Sequence, residues 1–129
     1  MTTVDVPTSQ TETKLASRAR WDLYAIESIL LGGFMVSACL FGVILEHPDS
    51  PVHRAIDSSL LRRAMMGIAM GSTAVALIYN PLGLRSGALM NPATTLCFLR
   101  LGRITRRDAL LCIAGQFIGG AIATILMTV

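Results

Sequence analysis

Ser86-Gly87-Ala88-Leu89-Met90-Asn91-Pro92-Ala93-Thr94-Thr95, running on into Leu96-Cys97-Phe98-Leu99, decides how the rest of the chain is read. Its apolar part, Pro92 to Leu101, covers only ~15 Å as a helix at 1.5 Å rise per residue, about half of a bilayer core. A segment of this length suits a buried core helix, the apolar region of a signal peptide or a re-entrant half-helix. Long apolar runs on both sides favour the last. Asn91 is a preferred N-cap and Pro92 is favoured at the first helical position, so a helix is expected to open there. The small residues Ser86-Gly87-Ala88 suit extended backbone close to neighbouring helices. Over 86–101 the expectation is therefore a loop that dips into the membrane, turns at Asn91-Pro92 and returns as a short helix. Non-helical backbone at that depth is tolerated only where protein buries it or where it lines a wet cavity.

Working outward, the flanks supply the spans. The chain has 129 residues, 53% of them hydrophobic and 15% charged, with a mean hydropathy of +0.61. That is too apolar for an ordinary soluble domain of this length. The net charge of +3 does not point to nucleic acid: no motif for it is present, and the Arg residues cluster beside apolar runs as membrane topology requires. Residues 1–20 are polar and expected to be a disordered cytoplasmic tail, ending in Lys14, Arg18 and Arg20 ahead of Trp21 and Tyr24, a membrane-surface boundary. Spans are expected over about 23–45, 60–79 and 109–129, within one unit, 21–129. The first carries a single acid, Glu27; Val36-Ser37-Ala38-Cys39 resembles a lipoprotein cleavage box, but the apolar run continues past it to Leu45.

Between the first two spans lies a polar loop, Glu46 to Ser59, in which Asp57-Ser58-Ser59 offers N-caps. Arg62 and Arg63 can snorkel to the near interface, and Gly67 with Gly71 makes a close-packing face on the second span. Asn80-Pro81-Leu82-Gly83 is read as the end of that helix. After the half-helix come Arg100, Arg103, Arg106 and Arg107, then Thr105 and Asp108 as a capping pair. The last span holds Gly115, Gly119 and one strongly polar residue, Gln116. Cys39, Cys97 and Cys112 all lie in apolar segments, with spacing for neither zinc nor a disulfide framework. His47 and His53 share one loop without further ligands, so neither metal nor cofactor is expected. Of the 11 Lys and Arg residues, Arg54, Arg62 and Arg63 lie between the first two spans and the other eight lie on the opposite side. That bias places the N-terminus in the cytoplasm of a multi-pass protein of a plasma or bacterial inner membrane.

Ser86-Gly87-Ala88, Asn91-Pro92-Ala93 and Thr95, with Glu27 early in the first span, Met70-Gly71 in the second and Gln116 three residues before Gly119 in the third, resemble the first pore loop and the amino-terminal half of the aquaporin (major intrinsic protein) family. The resemblance covers about residues 21 to 129. It implies an all-α membrane protein with three transmembrane helices and one re-entrant half-helix, an aquaporin-like half repeat. It implies passive transport of water or small neutral solutes, with no catalytic residue, and no nucleophile is paired with a base here. By the resemblance, the Asn91 amide donates to a passing molecule, the carbonyls of Gly87, Ala88 and Leu89 line a half-pore, and Glu27 and Gln116 brace the loop. Met70 falls at the family's filter position, where an aromatic or His is usual, and Leu89 stands where His is common.

Family channels have six spans and two such half-helices. The expectation is therefore a truncated or half-length channel that needs a complementary half or a homo-oligomeric partner, besides its lipid membrane and its solute. The Lys/Arg bias argues against a homodimer of oppositely inserted copies. The competing reading is a membrane-embedded structural or regulatory subunit without its own pore. A small multidrug transporter would want a more central acid than Glu27.

Overall fold

A computed structural model describes the backbone of residues 9–128 and the side chains from Trp21 onward. Six helices follow in order: α1 (Ser9–Glu46), α2 (Pro51–Ala55), α3 (Ser59–Tyr79), α4 (Pro81–Ser86), α5 (Pro92–Arg100) and α6 (Arg106–Thr128), with no strand among the described residues. Three helical stretches are long and apolar enough to cross a membrane: Trp21–Glu46, Ser59–Tyr79 and Arg106–Thr128. Among the described residues the number of such stretches is the three expected. The protein is an all-α integral membrane protein.

α1 is the axis on which the others pack. Ser28 lies against Gly119 and Gly32 against Gly119 and Ala123, so α1 and α6 run parallel, and Tyr24 Oη donates to Asp108 Oδ1 (2.5 Å) nearer their amino-terminal ends. Against α3 the order reverses. Gly33 meets Leu77, Ser37 and Thr73 share a hydroxyl–hydroxyl bond of 2.8 Å, and Gly42 meets Met66. α3 therefore runs antiparallel to α1, and the three long helices alternate up, down, up. Tyr24, Ile26, Leu30, Ala109, Cys112 and Ala123 are buried in this packing, while Ile29, Ile68, Phe117 and Ile125 are exposed. An apolar outer surface of this kind is what lipid contact requires.

Four local expectations are corrected. The helix of α1 reaches back to Ser9, into the stretch expected to be a disordered tail; residues 9–20 hold no Pro or Gly and are rich in good helix formers. The remainder of that expected tail, residues 1–8, lies outside the described residues. Second, Asn80 does not merely end α3. It also caps α4, its Oδ1 accepting from Leu82 N (2.7 Å) and Gly83 N (2.9 Å). Third, the loop is not plainly extended: Ser86 belongs to α4, and Gly87 (φ 87°), Ala88 (φ 46°) and Met90 (φ 44°) occupy the left-handed region. Fourth, Arg62 does not snorkel. It is buried, donates to the carbonyls of Ile56 (2.6 Å) and Asp57 (3.2 Å), and faces Glu46 Oε2 at 3.4 Å, tying the loop of α2 to α3.

The turn into α4 is tight enough to exclude a methyl group. A Cβ on Gly83 would sit 2.0 Å from Leu77 O and 2.6 Å from Ile78 O, both main-chain atoms. Overpacking typically costs about 1–3 kcal/mol, more where backbone must move. Gly83→Ala is expected to lower the thermal midpoint in detergent by several degrees; an unchanged midpoint would show that this turn is soft.

Candidate functional site

Two successive N–H groups of the loop, those of Leu89 and Met90, are held by one carboxylate, while Gly87 N donates to Gly83 O and Ala88 N to Ser86 Oγ. Glu27 Oε1 accepts from Leu89 N (3.1 Å) and Oε2 from Met90 N (2.7 Å). These bonds straddle a strained backbone. A non-glycine residue in the left-handed region costs roughly 1–2 kcal/mol, and Ala88 and Met90 are both there. Such conformations persist when the surroundings over-determine them. Here a buried acceptor fixes two successive N–H groups and leaves the loop no easier geometry.

Glu27 is in turn held by the last span. Gln116 Nε2 donates to Glu27 Oε2 (3.2 Å) and to Thr95 Oγ1 (3.2 Å), and Thr95 Oγ1 donates to the Asn91 carbonyl (3.0 Å). A carboxylate accepts only, and a hydroxyl has a single proton to give. Gln116 thus gives both amide protons, and the single Thr95 proton has two acceptors within reach, the Asn91 carbonyl at 3.0 Å and Gln116 Oε1 at 3.4 Å. The relay is dry, with Glu27 1%, Gln116 0% and Thr95 0% exposed. Among the described residues no buried side-chain nitrogen or oxygen lacks a partner. A fully satisfied polar network in a low-dielectric interior holds its members rigidly.

The network also sets depth. Gln116 falls at the middle of the 23-residue α6, and its link through Thr95 ties the first turn of α5 to that level. α5, at nine residues, covers ~14 Å and cannot cross a bilayer. Its N-cap Asn91 turns Oδ1 back onto Ala93 N (2.8 Å). Because an N–H needs an oxygen acceptor, the amide orientation is fixed by chemistry, and Nδ2 points away from the cap. Asn91 is exposed, and Nδ2 meets no acceptor among the described residues. Nor does any described donor reach the carbonyls of Gly87, Ala88 and Leu89. Gly87 is exposed, Ala88 half-buried and Leu89 buried. A neutral donor, three carbonyls without a described donor and the positive end of a helix dipole, worth about half an elementary charge, thus occur within five residues of each other.

Of the residues expected to matter, Glu27, Leu89, Asn91 and Gln116 are brought together, while Met70 is not among them. It sits half-buried in α3, which packs against α1 and α4, and it takes no part in the network. Thr95 links Asn91 to Gln116, a role the sequence reading did not assign. The available signal was its position four residues after Asn91, where a Thr hydroxyl back-bonds to a helix carbonyl. The family model of the major intrinsic proteins matches residues 30–129, starting three residues after Glu27. No curated protein and no solved structure matches the chain. With the match running over α3, α4, α5, α6 and most of the first span, the chain belongs to the major intrinsic protein family, whose members form channels for water or small solutes.

Proposed function

We propose that this chain supplies one half of a pore lining for water or small neutral solutes and conducts when a complementary half closes the other side. The observation that carries the reading is the open Nδ2 of Asn91 at the mouth of α5, beside the unbonded carbonyls of Gly87, Ala88 and Leu89. A molecule with both donor and acceptor groups, such as water, can bond in turn to such a row, while the dipole of α5 disfavours cations. α4, the loop and α5 together form a re-entrant segment with its tip near mid-membrane, and Glu27 and Gln116 brace it. The N-terminus faces the cytoplasm by the Lys/Arg bias. Three spans leave the lining one-sided, so a second half is needed, in a longer chain or in a separate one. Met70 remains a candidate for the filter once that half is present.

The test is osmotic swelling of proteoliposomes. The expected result is flux above empty vesicles when a complementary half is present, and a loss of most of it in Asn91→Asp, which replaces the donor by an acceptor and places a charge at the tip. Flux unchanged in Asn91→Asp would overturn the role given to the amide. Absence of flux with every complementary half would favour a structural or regulatory subunit.

A further inference from the structure

We propose that the turn between α5 and α6 is a binding surface for the phosphate of anionic phospholipid headgroups. Arg100, Arg103, Arg106 and Arg107 are all exposed there, and the ion pairs of the described residues use other arginines. The one acid in the segment, Asp108, is engaged by Tyr24 Oη and by Thr105 Oγ1 (2.7 Å). The turn is sharply closed. Gly102 (φ 67°) donates to Leu99 O (3.0 Å) and Arg103 N to Phe98 O (3.0 Å), which keeps Arg100 and Arg106 at the same end of the bundle.

Two physical facts make this surface short of an anion. Arg106 and Arg107 occupy the first turn of α6, where the helix dipole favours negative charge and disfavours cations. Asp108 is the one acid in that turn, so it answers only part of the charge of the four arginines in 100–108. The 23 residues of α6 span ~34 Å, slightly more than a bilayer core, so its first turn lies at headgroup level. Trp21 marks the same level: it is exposed and stands edge-on to Tyr24 at 5.7 Å, the residue bonded to Asp108. Guanidinium forks match phosphate oxygens in pairs, and basic residues just outside a span are drawn to anionic lipid, roughly fivefold in affinity per residue. Membrane topology accounts for positive charge at this end, but not for cations on the positive pole of a helix. A lipid phosphate accounts for both.

Trp21 is the only tryptophan and reports on this end. The full chain is reconstituted in phosphatidylcholine vesicles with increasing brominated phosphatidylglycerol, and Trp21 quenching is compared with that by brominated phosphatidylcholine. The expected result is a preference for the anionic lipid on the order of tenfold, falling to near unity in Arg103→Gln/Arg106→Gln/Arg107→Gln. Each single Gln variant lowers the preference two- to fivefold, and these carry the test should the triple variant lose helix content by circular dichroism. No preference in the wild type, or one that survives the substitutions, overturns the proposal. So does abolition of the preference by inorganic phosphate at constant ionic strength, which would make the occupant a soluble anion.

Discussion

Glu27→Ala is expected to release the loop from Gly87 to Asn91. The substitution strips the acceptor from Leu89 N and Met90 N and from one amide proton of Gln116. A buried donor left unpaired costs about 1–3 kcal/mol, so three of them put the expected loss near 3–5 kcal/mol even after partial relaxation. Met90, at a left-handed φ, then loses the partner of its N–H, while Ala88 keeps its bond to Ser86 Oγ. Hydrogen exchange read by mass spectrometry should show the 87–91 amides exchanging at least a hundredfold faster, with α3 little affected. Glu27→Gln keeps one acceptor oxygen but turns an amide donor toward a backbone donor, and should fall between. Unchanged exchange in Glu27→Ala would mean that the loop is held by packing alone.

Gly119→Ala should be the most damaging single methyl addition in the long helices. The new Cβ would lie 2.0 Å from Ser28 O and 2.6 Å from Ser28 Oγ. The carbonyl belongs to the backbone of α1 and cannot rotate away, so the helices must separate along a face where a Cβ on Gly115 would also come within 3.1 Å of Tyr24 O. Small residues let membrane helices pack by close backbone approach, and forcing them apart is expected to cost about 3 kcal/mol or more. It also withdraws Gln116 from Glu27. The control is built in: a Cβ on Gly67 or Gly71 meets nothing within 4 Å. Those alanine variants should keep or slightly raise the thermal midpoint in detergent, since alanine is the better helix former. Equal midpoints for Gly119→Ala and Gly67→Ala would remove the case for a close α1–α6 crossing.

These two Gly pairs show how far sequence could reach. Both have the same spacing and look alike on paper, yet only Gly115 and Gly119 are pressed against a neighbour. Spacing reports that close approach is allowed; which face is used depends on the whole arrangement. The three spans were legible because about twenty apolar residues in a row leave few alternatives. α2 and α4 were not, although their signal was present. Ser50-Pro51 and Asn80-Pro81 repeat the cap-then-proline pattern of Asn91-Pro92, and each opens a helix. In α2 and α4 only five and six residues follow the cap, too few for sequence to distinguish a helix from a turn.

Among the site residues, Glu27 and Gln116 stood out as polar groups in apolar spans, which are costly without partners. Their partners could not be named from residue spacing, because the bonds join positions far apart in the chain. The bonding roles of Thr95 and Arg62 were not legible, for different reasons. A threonine in an apolar helix attracts no attention, and an arginine near a span end invites the snorkelling explanation, whereas burial against carbonyls is visible only in three dimensions.

The relay from Gln116 through Glu27 and Thr95 to the loop has a consequence for biogenesis. Its carboxylate is synthesised first and its amide last, and the segment they secure is made between them. Until the final helix enters the bilayer, the loop has at most half of its anchor, and Thr95 lacks the donor that completes its bonding. Settling of the short helix is therefore expected to be a late event, coupled to integration of the last span rather than to its own emergence from the ribosome.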